Sequence, residues 1–238
     1  MKRLLMAASD KGGVGKSFAT VQIVQWLKDL GRKFRAFDPD HTNSTMLRFH
    51  EDAVFVDISK PQSMDQIALA FDTIPLVVVD GIGGQKGVFL KWIESVDLFD
   101  IAKAIELAMT FVVIVDEDRD TVFQTRETLE KVGSQVNWLV IKNHKTVGHT
   151  DMWDKSEARK IALDLGAREI ILPKLDEHLI SKLQRESLTV GRAGQSEKLN
   201  MLDRSRCLKY ARTFGEALTA NADIILDDTE TPLVKADR

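Results

Sequence analysis

The chain has 238 residues and a single cysteine, Cys207. No disulfide can form within it, and a metal cluster held by paired cysteines has nothing to hold it. The five prolines are scattered, and no Pro-, Gly- or Ser-rich linker breaks the sequence. It reads as one large domain. No apolar run approaches the ~18 residues that a membrane-spanning helix requires. Neither sign of charge dominates: the formal net charge is −3, so overall charge alone selects no polyionic partner. The start, "MKRLLMAASD", has the charged head of a secretion signal. Its apolar part is too short, however, and a glycine loop follows at once, so it reads as a first strand. A reducing, cytoplasmic setting is expected. What remains is an ordinary globular balance, 44% hydrophobic and 29% charged, enough to bury a core without staples.

Short apolar runs alternate with helical patterns. Strands are expected at "RLLMAAS", "KFRAFDPD", "AVFVDIS" (53–59), "IPLVVVDGIGG" (74–84), "TFVVIVDED" (110–118), "NWLVIKNHK" (137–145) and "AREIILP" (167–173). The run before Asp80 is almost unbroken, as in a strand buried on both faces. Helices are expected at 17–30, 64–72, 121–132, 154–165, 176–187 and about 196–221. The alternation predicts an α/β fold, a mostly parallel twisted sheet flanked by helices on both faces. Ligands on such sheets bind past the carboxyl ends of the strands. Asp38 with Asp40, Asp80 with Gly83, Asp116 and Asn143 all fall there, as does a glycine-rich loop.

That loop reads "AASDKGGVGKSFAT", residues 7–20. It lies between a strand and a helix, where glycines let consecutive amides face a phosphate and the helix adds its positive end. Lys16 would reach the β- and γ-phosphates, and the Ser17 hydroxyl would ligate Mg²⁺. The strict pattern G-x-x-x-x-G-K-[ST] fails, because Asp10 stands where its first glycine belongs. Asp10 has no role in this reading.

The variant "KGGVGKS" resembles the deviant Walker A motif of the ParA/MinD family of ATPases, over perhaps residues 1–215. The resemblance implies a three-layer P-loop fold that binds ATP and Mg²⁺ through Gly12, Gly13, Val14, Gly15, Lys16, Ser17 and Phe18. It implies that Lys11 crosses a homodimer interface to the phosphates of the partner subunit. A cation supplied in trans stabilises charge developing on the transferred phosphoryl group.

"AFDPDHTNST" resembles the family's D-x-D-P segment. With the prolines aligned, Asp38 orients the attacking water and contacts the Mg²⁺ shell. Aligning Asp38-x-Asp40 as the acidic pair makes Asp40 the candidate instead; the proline match favours Asp38. Asp-Pro-Asp is also ordinary turn chemistry. "LVVVDGIGG" resembles a Walker B strand with a D-x-x-G switch. Asp80 would bind the Mg²⁺ shell through water, and the Gly83 amide would bond the γ-phosphate. Asn143 resembles the adenine-reading position, since an amide matches adenine N6 and N7. Pro173 resembles the turn lining the base pocket. "NHKT" lacks the aspartate of a guanine signature, which favours ATP. Asp116 is a helix cap or an interface residue.

Between Lys182 and Arg212 eight basic residues oppose three acids. By resemblance to partition ATPases, Lys182, Arg185, Arg204, Arg206 and Lys209 would bind DNA non-specifically. The alternative is a solvated helical face. Residues 1–221 would form the ATPase domain and 222–238 an acidic, flexible tail, which anionic lipid would repel. The expected function is an ATP-dependent, slowly hydrolysing switch that segregates or positions DNA, as in plasmid partition, with a partner protein that stimulates hydrolysis. A bacterial cytoplasmic, nucleoid-associated location follows from that reading. The alternative is an accessory ATPase of conjugative transfer, or a positioning ATPase with a protein cargo.

Overall fold

Every apolar run expected as a strand joins one parallel sheet. The computed structural model describes residues 1–40, 44–81, 83–145 and 148–227, apart from the Lys86 side chain. The strands are β1 (Lys2–Ala7), β2 (Phe34–Asp38), β3 (Val54–Phe55), β4 (Leu76–Val79), β5 (Leu107–Val115), β6 (Asn137–Asn143) and β7 (Arg168–Leu172). Their spatial order is β3-β2-β4-β1-β5-β6-β7, and every recorded pairing is parallel. The helices are α1 (Lys16–Asp29), α2 (Thr45–Phe49), α3 (Pro61–Leu69), α4 (Lys86–Ser95), α5 (Leu98–Ala104), α6 (Arg119–Val132), α7 (Asp151–Asp154), α8 (Glu157–Asp164), α9 (Glu177–Arg185), α10 (Val190–Ala193), α11 (Met201–Thr219) and α12 (Ala222–Ile225).

Alternate residues of each strand face opposite layers. Leu5, Val78, Val112 and Ile141 pack with α1, α2 and α9–α12. Leu4, Val77, Val113 and Val140 pack with α3–α8. Both faces are therefore covered, which is why the central strands read as unbroken apolar runs. Among the described residues no helix is long and apolar enough to cross a membrane.

Local hydrogen bonds moved three expected boundaries. The third strand stops at Phe55, because the Asp57 carboxylate accepts from both the amide and the hydroxyl of Ser59 and turns the chain. The helix expected at 154–165 starts at Glu157, where Ser156 caps it by accepting from the Arg159 amide, and the short α7 ends just before it at Asp154. The last long helix starts at Met201 rather than 196, where Asn200 caps it by accepting from the Asp203 amide.

The expected boundary of the tail also shifts. Residues 222–227 are docked, with Ile225 fully buried. The buried Arg3 guanidinium of β1 donates to the carbonyls of Asp223 (2.7 Å) and Leu226 (3.1 Å). Thr110 of β5 donates to the carbonyl of Ile224. Arg32 forms a buried ion pair with Asp227. Residues 228–238 of the proposed tail lie outside the described residues.

Candidate functional site

The phosphate loop connects β1 to α1 between the two central neighbours of β1, strands β4 and β5. α1 leaves this loop and is buried along nearly its whole length, not on one face as its spacing suggests. The reason is that α10 and α11 cover its outer side: the side-chain Oε1 of Gln25 accepts from the Thr189 hydroxyl (2.8 Å) and that of Gln22 from the Val190 amide (2.9 Å). The helix start is thus rigidly placed at the carboxyl edge of the sheet.

Gly13 and Gly15 have φ of 73° and 100°, the left-handed region in which side chains are strained. A Cβ on Gly15 would lie 2.5 Å from Asn143 Nδ2, so crowding requires glycine there as well. Gly12 and Gly13 differ, because a Cβ on either meets nothing within 4 Å. Their lack of side chains leaves open space in front of the loop, as a bound phosphate requires. The Lys16 ammonium turns into the loop and donates to the Lys11 carbonyl at 2.5 Å. Burial pushes its pKa down, against the opposing pull of the Asp80 and Asp10 carboxylates.

Asp80 follows β4 and stands behind the start of α1. One of its oxygens accepts from the Thr20 hydroxyl (3.0 Å) and the Gly81 amide (2.9 Å), and Ser17 also bonds its carboxylate. Burial, reinforced by the charge of Asp38, raises its pKa to about 6. A cation in front of Ser17 would restore the carboxylate form. Among the described residues no group of three His, Cys, Asp or Glu stands ready to hold a metal alone. A Mg²⁺ here would complete its shell with nucleotide phosphates and water, its usual mode. The hydroxyl of Ser17 and the nearby carboxylate fit that arrangement.

The switch glycines lie against the phosphate loop. Gly84 donates its amide to the Asp10 carbonyl at 2.6 Å, so the main chain of Asp10 ties the two segments together. A Cβ on Gly83 would lie 3.1 Å from the Gly12 amide nitrogen, and one on Gly81 would collide with the Ala7 carbonyl at 2.3 Å. Glycine at both positions permits this close approach.

A cleft of about 670 Å³ opens over these elements. Gly12, Gly13, Gly15, Lys16, Ser17, Phe18 and Gly83 line it as expected. Asp38 does not. It is fully buried, burial raises its pKa, and its two oxygens accept from the amides of Asp40 (3.0 Å) and Leu47 (3.2 Å). Asp40 lines the cleft instead. Asp38 thus holds the turn, and Asp40 faces the cleft. Asn143 and Pro173 also lie outside the cleft wall. The Asn143 amide is engaged at both ends, donating to the Val14 carbonyl (2.8 Å) and accepting from the Lys145 amide (3.0 Å).

Other wall residues carry no sequence signal: Arg48 and Phe49 of α2, and Ile180, Leu183 and Gln184 of α9. Each is an unremarkable residue of a short amphipathic helix, and only packing brings it to the cleft. Lys145, two residues after Asn143, carries no sequence signal either and also reaches the loop. Its ammonium lies 2.5 Å from the Gly13 carbonyl.

Lys11 lies outside its own cradle. Its ammonium pairs with Asp118 (2.5 Å) and Asp120 (3.5 Å) at the start of α6, which raises its pKa. The basic segment is partly neutralised: Asp203 pairs with Lys182 (2.7 Å) and Arg206 (3.0 Å), and Glu186 pairs with Lys198 (2.9 Å). Arg185, Arg204 and Lys209 have no ion pair among the described residues.

Comparison with known proteins agrees with this geometry. No match is found among curated protein sequences. Solved structures do match. The MinD cell division protein of Aquifex aeolicus aligns with a TM-score of 0.54 at 16% identity, covering 90% of this chain and 97% of that one. The septum site-determining protein MinD of Pyrococcus horikoshii OT3, solved with Mg-ADP, gives 0.59 at 14% identity, covering 93% and 96%. Apo McdA of Cyanthece gives 0.50 at 15% identity, covering 92% and 99%. At such identities these likenesses speak for the fold. The family profile described as the CobQ/CobB/MinD/ParA nucleotide binding domain matches residues 5–225. With the phosphate loop, its two lysines and six whole strands of the parallel sheet inside that span, the chain belongs to the CobQ/CobB/MinD/ParA family of nucleotide-binding domains.

Proposed function

We propose that the chain is an ATP-dependent switch that binds Mg-ATP as a monomer, dimerises upon it, hydrolyses it slowly and thereby positions or segregates DNA. The observation that carries this reading is the division between the two loop lysines. Lys16 is buried and turned into the cradle, whereas Lys11 lies on the surface against α6. In this reading one cation would serve the chain's own nucleotide and the other that of a second subunit.

The amides from Val14 to Phe18 and the Lys16 ammonium would hold the phosphates, with the Ser17 hydroxyl on Mg²⁺ and Asp80 behind it. The Gly83 amide would mark the γ-phosphate. Bound Mg-ATP supplies the phosphoryl group whose transfer to water releases phosphate. Asp40 orients that water, and Asp38 holds the turn that presents Asp40. Asp40→Ala is expected to slow hydrolysis by about 10²-fold while ATP affinity stays within a few-fold, as single-turnover and equilibrium binding measurements would show. Asp38→Asn with the same hydrolytic loss and undiminished thermal stability would return the role to Asp38.

For DNA, the uncompensated cations of α9 and α11 (Arg185, Arg204 and Lys209) are the working surface. Each phosphate contact should contribute a slope of about −0.9 to the dependence of log K on log salt. Retention of plasmid DNA with ATP, ADP and no nucleotide at several salt concentrations tests the proposal. ATP-specific, salt-sensitive retention that Arg204→Ala/Lys209→Ala removes supports DNA segregation. The internal ion pairs of Lys182, Lys198 and Arg206 favour the second reading, a protein cargo or an accessory role in conjugation. No retention in any nucleotide state would select it.

A further inference from the structure

The end of β6 grips the phosphate loop from behind at two consecutive peptides. The Asn143 amide donates to the Val14 carbonyl at 2.8 Å, and the Lys145 ammonium donates to the Gly13 carbonyl at 2.5 Å. The two grips are linked, because the Lys145 main-chain amide donates to the Asn143 side-chain oxygen at 3.0 Å. The Lys145 ammonium is fixed in turn by Asp116, 3.1 Å away, whose other oxygen accepts from the Thr121 hydroxyl of α6 at 2.9 Å. An ammonium–carboxylate pair adds no net charge beside the loop, so its effect on a phosphate comes through loop geometry.

In a planar trans peptide the carbonyl and the following amide hydrogen point in opposite directions. The Gly13 carbonyl shares its plane with the Val14 amide, and the Val14 carbonyl with the Gly15 amide. Drawing both carbonyls toward β6 turns both amides toward the cleft that Gly12, Gly13 and Lys16 line. The left-handed φ of Gly13 (73°) and Gly15 (100°) makes this arrangement accessible at low cost. A charged donor on the Gly13 carbonyl also polarises that peptide and strengthens its amide as a donor.

We propose that Lys145 is a positioning residue for the phosphate site: held by Asp116 and working with Asn143, it presets the phosphate loop in its anion-binding conformation. This rests on the reading of the loop as the ATP site. It also gives Asp116 a function, as the anchor of the lysine.

The test compares wild type with Lys145→Met, which keeps the apolar stem and loses the ammonium, and with Lys145→Arg. Affinities for Mg-ATP, Mg-ADP and inorganic tripolyphosphate are measured by calorimetry, and thermal midpoints are recorded. Lys145→Met should weaken all three ligands roughly tenfold, the cost of one charge-assisted hydrogen bond. Lys145→Arg should recover most of the affinity, and the midpoints without ligand should agree closely. Equal affinities in wild type and Lys145→Met overturn the clamp alone. A lowered midpoint in Lys145→Met that arginine does not restore also overturns it, since the lysine is then merely structural. Wild type that binds none of the three ligands overturns both the clamp and the ATP reading.

Discussion

Replacing Lys11 with alanine is expected to abolish ATP-dependent dimerisation while leaving ATP bound to the single chain. The two effects separate because the two lysines are separated in space. Lys16 is almost fully buried and closes the loop on itself, so it is expected to serve the chain's own phosphates. Lys11 reaches away from the loop to Asp118 and Asp120. That contact is solvent-exposed, and exposed ion pairs contribute little to stability. It is therefore readily exchanged for a triphosphate, whose charge is larger and which the two facing subunits would shield from water. Cations supplied in this manner accelerate phosphoryl transfer by ~10³–10⁵-fold in related chemistry. Sedimentation velocity with ATP, in an Asp40→Ala background that preserves the nucleotide, checks the expectation. ATP-driven dimers of the Lys11→Ala protein would refute it. Asp118→Asn should have the opposite sign, leaving dimerisation unchanged or a few-fold tighter. Weaker dimers would mean that Asp118 itself meets the partner.

Removing the Asp227 carboxylate should cost the fold about 3–5 kcal/mol, the usual penalty for orphaning one member of a buried ion pair. The Arg32 and Asp227 side chains are 3% and 1% exposed, and Arg32 also donates to the Asp227 carbonyl at 2.9 Å. Peeling the segment away offers no cheap relief. Residues 222–227 also provide the carbonyls that satisfy Arg3, itself 1% exposed on a central strand, and the Thr110 hydroxyl. Undocking would break those hydrogen bonds and expose Ile225. In a domain of this size each kcal/mol lowers the melting midpoint by roughly 2–4 °C. Urea unfolding of Asp227→Ala checks the value, and a loss below about 1 kcal/mol would make the pair no stronger than a surface one. The double replacement Arg32→Met/Asp227→Leu should recover most of the stability, because a packed apolar pair removes the desolvation penalty. ATP binding should be unaffected, because α12 docks where β1 begins and the phosphate loop lies where it ends.

These two predictions draw on different levels of the molecule. The separation of the lysines begins in the sequence, since four residues part Lys11 from Lys16 and the glycines among them bend the chain. The partners of Lys11 lie more than a hundred residues away, and no local pattern points to them. The Asp227 contact is wholly non-local. In sequence, the segment is an acidic stretch before a weakly apolar end, which reads as loose. Its docking depends on Arg3 and Arg32, two basic residues at the opposite end of the chain that the fold buries.

Periodicity and loop chemistry alone determined the strand–helix alternation, the parallel sheet and the place of the glycine loop that carries Lys16 and Ser17. These are local signals: a buried strand needs an unbroken apolar run, and a phosphate loop needs glycines between strand and helix. Tertiary structure decided everything that turns on which way a side chain faces. It buried Asp38 in a turn and left Asp40 in the cleft, although both stand in the same five-residue neighbourhood. It set the Asn143 amide on the Val14 carbonyl and the Lys145 ammonium on the Gly13 carbonyl beside it. It also set three of the eight basic residues against acids from neighbouring turns and helices. The physical reason is common to all of these. A hydrogen-bonding side chain goes to whichever buried main-chain group or countercharge would otherwise be unsatisfied, and the position of that group is set by the packing of distant segments.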